Sequence, residues 1–297
     1  MGKGSSDNRD RYRNAMKDHG FGYALYEPEQ FDRIKPGTLG YFDANRMWHN
    51  LLDLTDAPSL RAANLTPFVE PHRRVPDKRR WGPLTSNHVS ERNVQLGAGV
   101  DGTSFGLPAS VSIVTEYSTK GGFGAVLMCD NDVVVEGYDV RGPIERWIRE
   151  NRLALAKILD LKEHGVVCST WTYSSENVHL NVWEDSETKV VVGVGADVQG
   201  LANTNASTSW LRGRSGSKWT DWPTGKRVVF FSGVKCEFNW LGRMTTKPES
   251  QWRGGNSSIV WDAESNDAYE CEIQSFPLDF DQANIEGTDS EDEEEKP

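Results

Sequence analysis

The sequence predicts an α+β protein built on a twisted antiparallel sheet, with a basic N-terminal helix and a second helix set between two long amphipathic hairpins. Three patterns lead there. Stretches in which apolar residues alternate with Ser, Thr, Gly and Glu recur between residues 93 and 238, which is the period of half-buried strands. One stretch, Pro143–Leu159, switches to a helical period. The opening stretch Ser6–Asp18 is charged and free of Gly and Pro.

Taken in order, Ser6–Asp18 forms a short helix that places Arg9, Arg13 and Lys17 on one stripe with Arg11 nearby, and His19-Gly20 ends it. A turn at Ile34–Gly37 precedes two short strands, Leu39–Phe42 and Trp48–Leu54, with Asp43–Arg46 as the polar tip between them. Pro58–Pro83 is rich in Pro, Arg and Asn and reads as an irregular loop carrying the basic run Arg73, Arg74, Lys78, Arg79 and Arg80. Val94–Val100 and Leu107–Tyr117 alternate as strands, the latter through Leu107, Ala109, Val111 and Ile113. The Gly-rich Ser118–Gly122 is a turn, and Phe123–Val135 has strand character again. Pro143–Leu159 is an amphipathic helix opened by proline, with Ile144, Trp147, Ile148, Leu155, Ile158 and Leu159 on its apolar face. Val166–Tyr173 and Val178–Trp183 come next, then the polar turn Glu184–Glu187. Lys189–Leu201 then sets Val190, Val192, Val194 and Val198 on one parity. Lys226–Phe238 closes the body, and 257–261 and 269–276 are strand-like pieces that can rest on it.

Charge separates two regions. Residues 1–241 hold 29 basic and 29 acidic groups, whereas 242–297 hold 4 and 15, densest over Asp289–Glu295. The expected organisation is therefore a body over 1–241 and a short acidic C-terminal segment over 242–297, whose last part repels itself too strongly to pack. The neutral body excludes bulk attraction to nucleic acid. No run approaches the ~18 apolar residues of a membrane-spanning helix, and the N-terminus lacks a signal-peptide core, so the expected starting location is the cytoplasm. Cys129, Cys168, Cys236 and Cys271 form no CxxC pair and read as reduced, packed thiols.

Catalytic and cofactor motifs fail on context. Gly97–Gly102 fits GxGxxG, but the residues after it read as a strand where a dinucleotide site needs a helix. The six histidines show no metal-ligand spacing, and no nucleophile, base and oxyanion donor assemble. No enzymatic activity, cofactor or metal is expected. What remains is strand length. A membrane-crossing strand needs about 9–11 residues with lipid-facing and lumen-facing positions alternating, and Leu107–Tyr117 and Lys189–Leu201 meet both conditions. The half-buried sheet of a protein that stays in water alternates in the same way.

The order of these elements resembles the pore-forming domain of gasdermins. It runs from Asp10–Gly20 through the strand pair at Trp48, the alternating strands, the 143–159 helix and a second hairpin to Pro223-Thr224-Gly225-Lys226-Arg227-Val228-Val229-Phe230-Phe231. The compact fungal members, tied to regulated cell death and heterokaryon incompatibility, are the nearest in outline, and the resemblance covers residues 6–240. It implies that Arg9, Arg11, Arg13 and Lys17, joined by Arg73, Arg74, Lys78, Arg79 and Arg80, contact acidic phospholipids such as cardiolipin or phosphoinositides. Each cation is worth about 1 kcal/mol at an anionic surface, so several must act together. It further implies that hairpin one (Val94–Val135) and hairpin two (Val166–Leu201) insert into a barrel closed by many copies, with Trp48 near a membrane-anchoring tip. Segment 242–297 is too short for the helical inhibitory domain of animal gasdermins. It either restrains assembly through its acidic charge until a protease or an incompatible allelic partner intervenes, or is a solubility tail, and the active protein would move to the plasma membrane or another acidic-lipid membrane. The alternative is a β-rich lipid- or carbohydrate-recognition protein that perforates nothing.

Overall fold

The computed structural model describes residues 3–96, 101–109, 111, 113–120, 122–194, 210–213, 216–243 and 257–277. It is a mixed α+β fold with antiparallel sheets and a few helices. Helix α1 (Lys3–Met16) runs into a 3-10 turn at Lys17–His19, where left-handed Gly20 stops it. Strand β1 (Tyr23–Gln30), the one-turn helix α2 (Phe31–Ile34), the hairpin β2 (Thr38–Phe42) and β3 (Trp48–Asp53), and α3 (Ala57–Ala62) follow. Asp56 caps α3 by accepting from the Ser59 amide.

The chain then makes four extended passages, each broken into three strands. Track I is β4 (Asp77–Arg79), β5 (Leu84–Thr85) and β6 (Val89–Gln95); track II is β7 (Ile113–Thr119), β8 (Gly124–Cys129) and β9 (Val133–Gly137). Helices α4 (Gly142–Ala156) and α5 (Leu159–His164) connect it to track III, which is β10 (Val166–Ser175), β11 (Val178–Trp183) and β12 (Lys189–Val194). Track IV is β13 (Trp210–Arg212), β14 (Trp219–Trp222) and β15 (Arg227–Arg243), and β16 (Ser257–Trp261) and β17 (Asp267–Phe276) end the described chain.

These passages cross three separate sheets in the same lateral order, I–II–III–IV. The root sheet contains β4–β9–β10–β15, the middle sheet β5–β8–β11–β14, and the tip sheet β6–β7–β12–β13. Between tracks II and III the register survives the break from middle to tip. Trp183 pairs with Gly124 and Lys189 with Ser118, so five residues separate the two matched pairs on each track. From root to middle the offset is a single residue, because Ser174 pairs with Val134 but Val178 with Cys129.

Burial explains the folding back. On one side of the middle sheet, Ala125, Leu127, Cys129, Val178 and Leu180 join Tyr12 and Met16 of α1 in one cluster. On its other side, Val126, Met128 and Trp183 meet Tyr117, Val190 and Val192 of the tip sheet. The outer face of the tip sheet is covered by Leu107 and Val111, which pack on Val114 and Val191. The root sheet carries the largest cluster, in which Ile144, Trp147, Ile148 and Leu155 of α4 pack on Val166, Cys168, Val234 and Cys236. The same cluster includes Val260, Tyr269, Cys271 and Ile273, so 257–276 packs on the body, and β17 pairs with β15 from Gly233 to Arg243. Each fully buried side chain of this size contributes roughly 1.5–3 kcal/mol relative to exposure.

Several expectations change. The stretch Pro58–Pro83 holds α3 and β4, because Asp56 supplies a cap and β4 finds β9 as a partner. Leu107–Tyr117 is not one strand. Gly102–Phe105 is a 3-10 turn, Leu107 and Val111 belong to a loop folded onto the tip sheet, Ala109 is exposed in a turn, and the strand starts at Ile113. The same 3-10 turn lies where a strand was expected after the GxGxxG match, of which Gly97–Val100 lie outside the described residues. Ser118–Gly122 and Glu184–Glu187 are not hairpin tips: Ser118 and Thr119 still belong to β7, Gly121 lies outside the described residues, and Gly122 and Glu184–Glu187 lie between the tip and middle sheets. The paired strands therefore reach from β4 to β9 and from β10 to β15, beyond the bounds Val94–Val135 and Val166–Leu201, of which 97–100 and 195–201 lie outside the described residues. Gly, Asp and Ser permit both kinds of turn, and only the partner strand tells them apart. Val198 lies outside the described residues.

Candidate functional site: hinge lines across four tracks

The breaks line up across the tracks. The inner hinge, between root and middle sheets, consists of 80–83, 130–132, 176–177 and 223–226, and the outer hinge, between middle and tip, of 86–88, 120, 122–123, 184–188, 213 and 216–218 among the described residues. Asn177 (φ 52°), Gly225 (φ 78°) and Gly122 (φ 89°) turn the chain through left-handed backbone at these lines.

A polar clamp spans the inner hinge. His179 on β11 is buried between two carboxylates, its Nδ1 2.8 Å from Asp221 Oδ1 and its Nε2 3.0 Å from Asp130 Oδ2. Asp221 also accepts from Arg212 of the tip sheet. Tracks II, III and IV are thus tied at one residue. Burial opposes charge on the ring, but the hydrogen bonds to Asp130 and Asp221 outweigh it and raise the imidazole above its ordinary value. Burial likewise opposes charge on Asp221, and Arg212 and His179 overcome it to lower that carboxyl.

The outer hinge is held from α1. Arg11 Nη1 lies 2.7 Å from Glu184 Oε1 on track III, and its guanidinium sits 5.0 Å from the ring centre of Phe123 on track II. One side chain therefore grips both central tracks at the line where the tip sheet folds over. Arg9 is turned inward too, pairing with Glu27 at 2.6 Å and donating to the Asn45 carbonyl. Arg13 pairs with Asp10 at 3.6 Å and lies over Tyr23, while Lys17 is exposed in the 3-10 turn. The stripe expected from spacing thus splits into inward clamps and one outward cation.

The second basic run is exposed along the edge of track I. Arg73 pairs with Glu70 and lies over Tyr138, Arg74 lies over Trp171, Arg79 pairs with Asp77 at 2.7 Å, and Arg80 lies 3.9 Å from Asp132. Lys78 and Arg79 sit on β4, where charge discourages unwanted pairing of an edge strand. Trp48 is buried, donates to the Arg33 carbonyl at 2.9 Å and packs on Phe42 and Phe231; the neighbouring Met47 is the exposed apolar residue of that tip. Arg9, Arg33, Arg46, Glu27, Trp48 and His49 line a half-open cleft of about 160 Å³. Its three guanidiniums pair with Glu27, Glu29 and Asp10, so an anion entering there must displace carboxylates.

Ile113, Val190, Val192 and Val194 stand together on one face of the tip sheet, with Ile113 directly opposite Val194 and Val192 opposite Thr115. Sequence reasoning did not find the His179 clamp or the part played by Glu184 and Phe123. Spacing carries no trace of the clamp, because its members come from three tracks. No helix among the described residues is long and apolar enough to cross a membrane, and no group of three or more His, Cys, Asp or Glu among them is arranged to hold a metal ion. No protein-family model matches the chain, and no curated protein does.

Proposed function

We propose that the chain is a membrane-perforating protein of the gasdermin kind, a cell-death effector that binds acidic phospholipid, gathers copies of itself and inserts its two ribbons into a shared β-barrel. The observation that carries this reading is the single strand order kept through three sheets with matched register between tracks II and III. Extending 119–123 and 184–188 as regular strand would turn both tracks into one continuous ladder without re-pairing. Side-chain parity favours that form. In it, Ile113, Tyr117, Phe123, Ala125 and Leu127 would share a face with Val178, Leu180, Val182, Val190, Val192 and Val194. The opposite face would carry Glu116, Ser118, Lys120, His179, Asn181, Asp185 and Lys189, interspersed with Val114, Val126, Met128, Trp183 and Val191. In the folded protein the apolar face is split, its middle part turned to α1 and its tip part to the reverse side of the middle sheet.

The tip strands β7 and β12 have 7 and 6 residues, short of a crossing strand, so in this reading the straightened tip and middle strands together supply the span. A barrel with no open edge requires many copies, since unpaired backbone is not tolerated in lipid. Arg9, Arg11, Arg13 and Lys17 serve as headgroup contacts once lipid phosphate replaces Glu27 and Glu184 as their partners. The C-terminal strands brace the closed form, so their removal by a protease, or a partner that loosens them, favours opening.

Dye release tests this directly. The full chain and a chain ended at residue 241 are mixed with vesicles with and without cardiolipin; leakage is expected with cardiolipin, and more from the shortened chain. Ile113→Lys is the informative variant, because Ile113 is 37% exposed in the folded protein yet faces lipid in the barrel. It should fold normally and weaken leakage, as a cation on the lipid face costs from about 0–1 kcal/mol near an interface to about 2–4 kcal/mol at mid-membrane, per copy. Sealed vesicles with both chain lengths would refute perforation and leave the recognition-protein alternative.

A further inference from the structure

We propose that Cys236 and Cys271 are a peroxide-oxidisable dithiol whose disulfide locks the C-terminal strand pair onto track IV. The two residues sit on neighbouring antiparallel strands, Cys236 on β15 opposite Ile273 and Cys271 on β17 opposite Phe238, so they are diagonal neighbours on one face. Their sulfurs are 2.9 Å apart, and both side chains are fully buried in the cluster that joins α4 to the C-terminal strands. Both are thiols in this state. Nothing in the fold requires two cysteines at this contact, since apolar residues would fill the same space.

The surroundings single out Cys271 as the nucleophile. The hydrogen bond with Cys236 lowers the pKa of the Cys271 thiol against the opposing effect of burial, and Arg152 and Arg149 of α4 add to the lowering. Cys129, by contrast, is pushed by burial up to about 12, and Cys168 is pushed higher still by burial. In the first step the Cys271 thiolate sulfur takes hydroxyl from hydrogen peroxide, the O–O bond breaks and hydroxide leaves. In the second, the Cys236 sulfur attacks the sulfenic sulfur, the S–O bond breaks, and hydroxide leaves with the thiol proton as water. Overall, two thiols and one peroxide give one disulfide and two waters.

The cross-link closes the chain over residues 237–270, which include the end of β15, all of β16 and the start of β17. It therefore ties the C-terminal segment to the body even if the backbone between is cut. This proposal does not rest on perforation, and its readouts need no membrane.

The full-length protein is treated with hydrogen peroxide, remaining thiols are alkylated after unfolding, and peptides are mapped without reduction. A Cys236–Cys271 cross-linked peptide is expected, reversed by a reducing agent, with Cys129 and Cys168 recovered alkylated. Amide exchange over 257–276 should slow at least about tenfold in the oxidised protein. Cys236→Ser and, as a second variant, Cys271→Ala should give no cross-link and no peroxide-dependent slowing. Recovery of both wild-type thiols alkylated after treatment, or a cross-link that leaves exchange over 257–276 unchanged, would overturn the proposal.

Discussion

The root sheet and the tip sheet are made from the same four passages of chain, yet they are held together in different ways. In the root, the outer edge of track IV is covered by β1 and β17, and the strands are wedged between the α4 cluster and an aromatic cluster built on Tyr23, Trp48 and Phe231. Its indoles at Trp48 and Trp147 donate to the carbonyls of Arg33 and Thr66. In the tip, four short strands rest on the middle sheet. The indole N–H groups of Trp210 in the tip and of Trp183 and Trp219 in the middle sheet beneath it find no protein hydrogen-bond partner among the described residues; in the root the same holds for Trp261, for the hydroxyls of Thr38, Ser169 and Thr172, and for Nε of Arg227. A buried donor without a partner costs about 1–3 kcal/mol. Unsatisfied polar groups occur at both ends, so the contrast lies in covering: one strand order is packed between two clusters at the root and rests on a single neighbouring sheet and a short loop at the tip.

Removing a root anchor breaks the comparison most severely. Phe231 is fully buried and contacts Tyr23, Phe42, Trp48 and Phe276. Phe231→Ala should cost about 3–5 kcal/mol in denaturant unfolding. Native-state hydrogen exchange should meanwhile show the tip strands opening before the root strands in the unmodified protein. Tip amides as slow as those of β10 and β15 would mean that the two sheets form one cooperative unit.

The clamp at the inner hinge comes next. His179→Ala leaves Asp130 and Asp221 facing each other without the ring; since both carboxylates are partly exposed, a loss of about 1–3 kcal/mol at pH 6 is expected. The pH dependence has a definite sign. The ring's folded pKa is raised, so its stabilisation is complete below the ordinary value of about 6.5 and is lost as pH rises through the raised value. Wild-type stability should therefore fall with pH above about 6.5 relative to the variant, measured as paired unfolding curves from pH 6 to 9. Parallel curves over that range would show that His179 does not ionise as the clamp requires.

Much of the root was legible in the sequence, because its signals are local. The 3.6 period of 143–159 and the polar tip Asp43–Arg46 each point to an element without reference to distant chain; the β2–β3 hairpin lies where that signal puts it, and α4 does too except that it ends at Ala156, with Ile158 outside it and Leu159 opening α5. The hinge region was not legible, because its meaning depends on partners. Gly121-Gly122 and Glu184–Glu187 have the composition of hairpin tips, and only the matched pairs Trp183–Gly124 and Lys189–Ser118 reveal an interrupted ladder. The cationic stripe misled for a related reason. Helical spacing places Arg9 and Arg11 on the helix surface but cannot say that Glu27 and Glu184 wait opposite them.

A smaller perturbation probes the outer hinge on track II. Gly122 has φ 89°, and a Cβ placed there meets nothing within 4 Å, so Gly122→Ala introduces backbone strain alone. The expected loss is about 1 kcal/mol. Because an extended strand has negative φ, the same substitution favours the straightened form, and leakage from acidic vesicles should speed up while thermal stability falls. Leakage that falls along with stability would place the glycine outside the step that limits opening.

The smallest effect should come from the contact that the comparison makes most informative. Glu184→Gln removes the charge that Arg11 grips at the outer hinge, but Glu184 is 58% exposed and Arg11 32%, and exposed pairs contribute about 0–1 kcal/mol. Global unfolding should shift by no more than about 0.5 kcal/mol. Exchange in β7 and β12 should nevertheless quicken selectively, since Arg11 then keeps only its contact with Phe123 and no longer bridges the two central tracks. Salt supplies the internal check. At about 1 M the Debye length is about 3 Å, so wild type and variant should converge there if the contact is ionic. A difference that persists at high salt would assign the hold on the tip sheet to the stacking of Arg11 on Phe123, and root and tip would then differ in how much apolar surface they bury and not in the kind of bond that closes them.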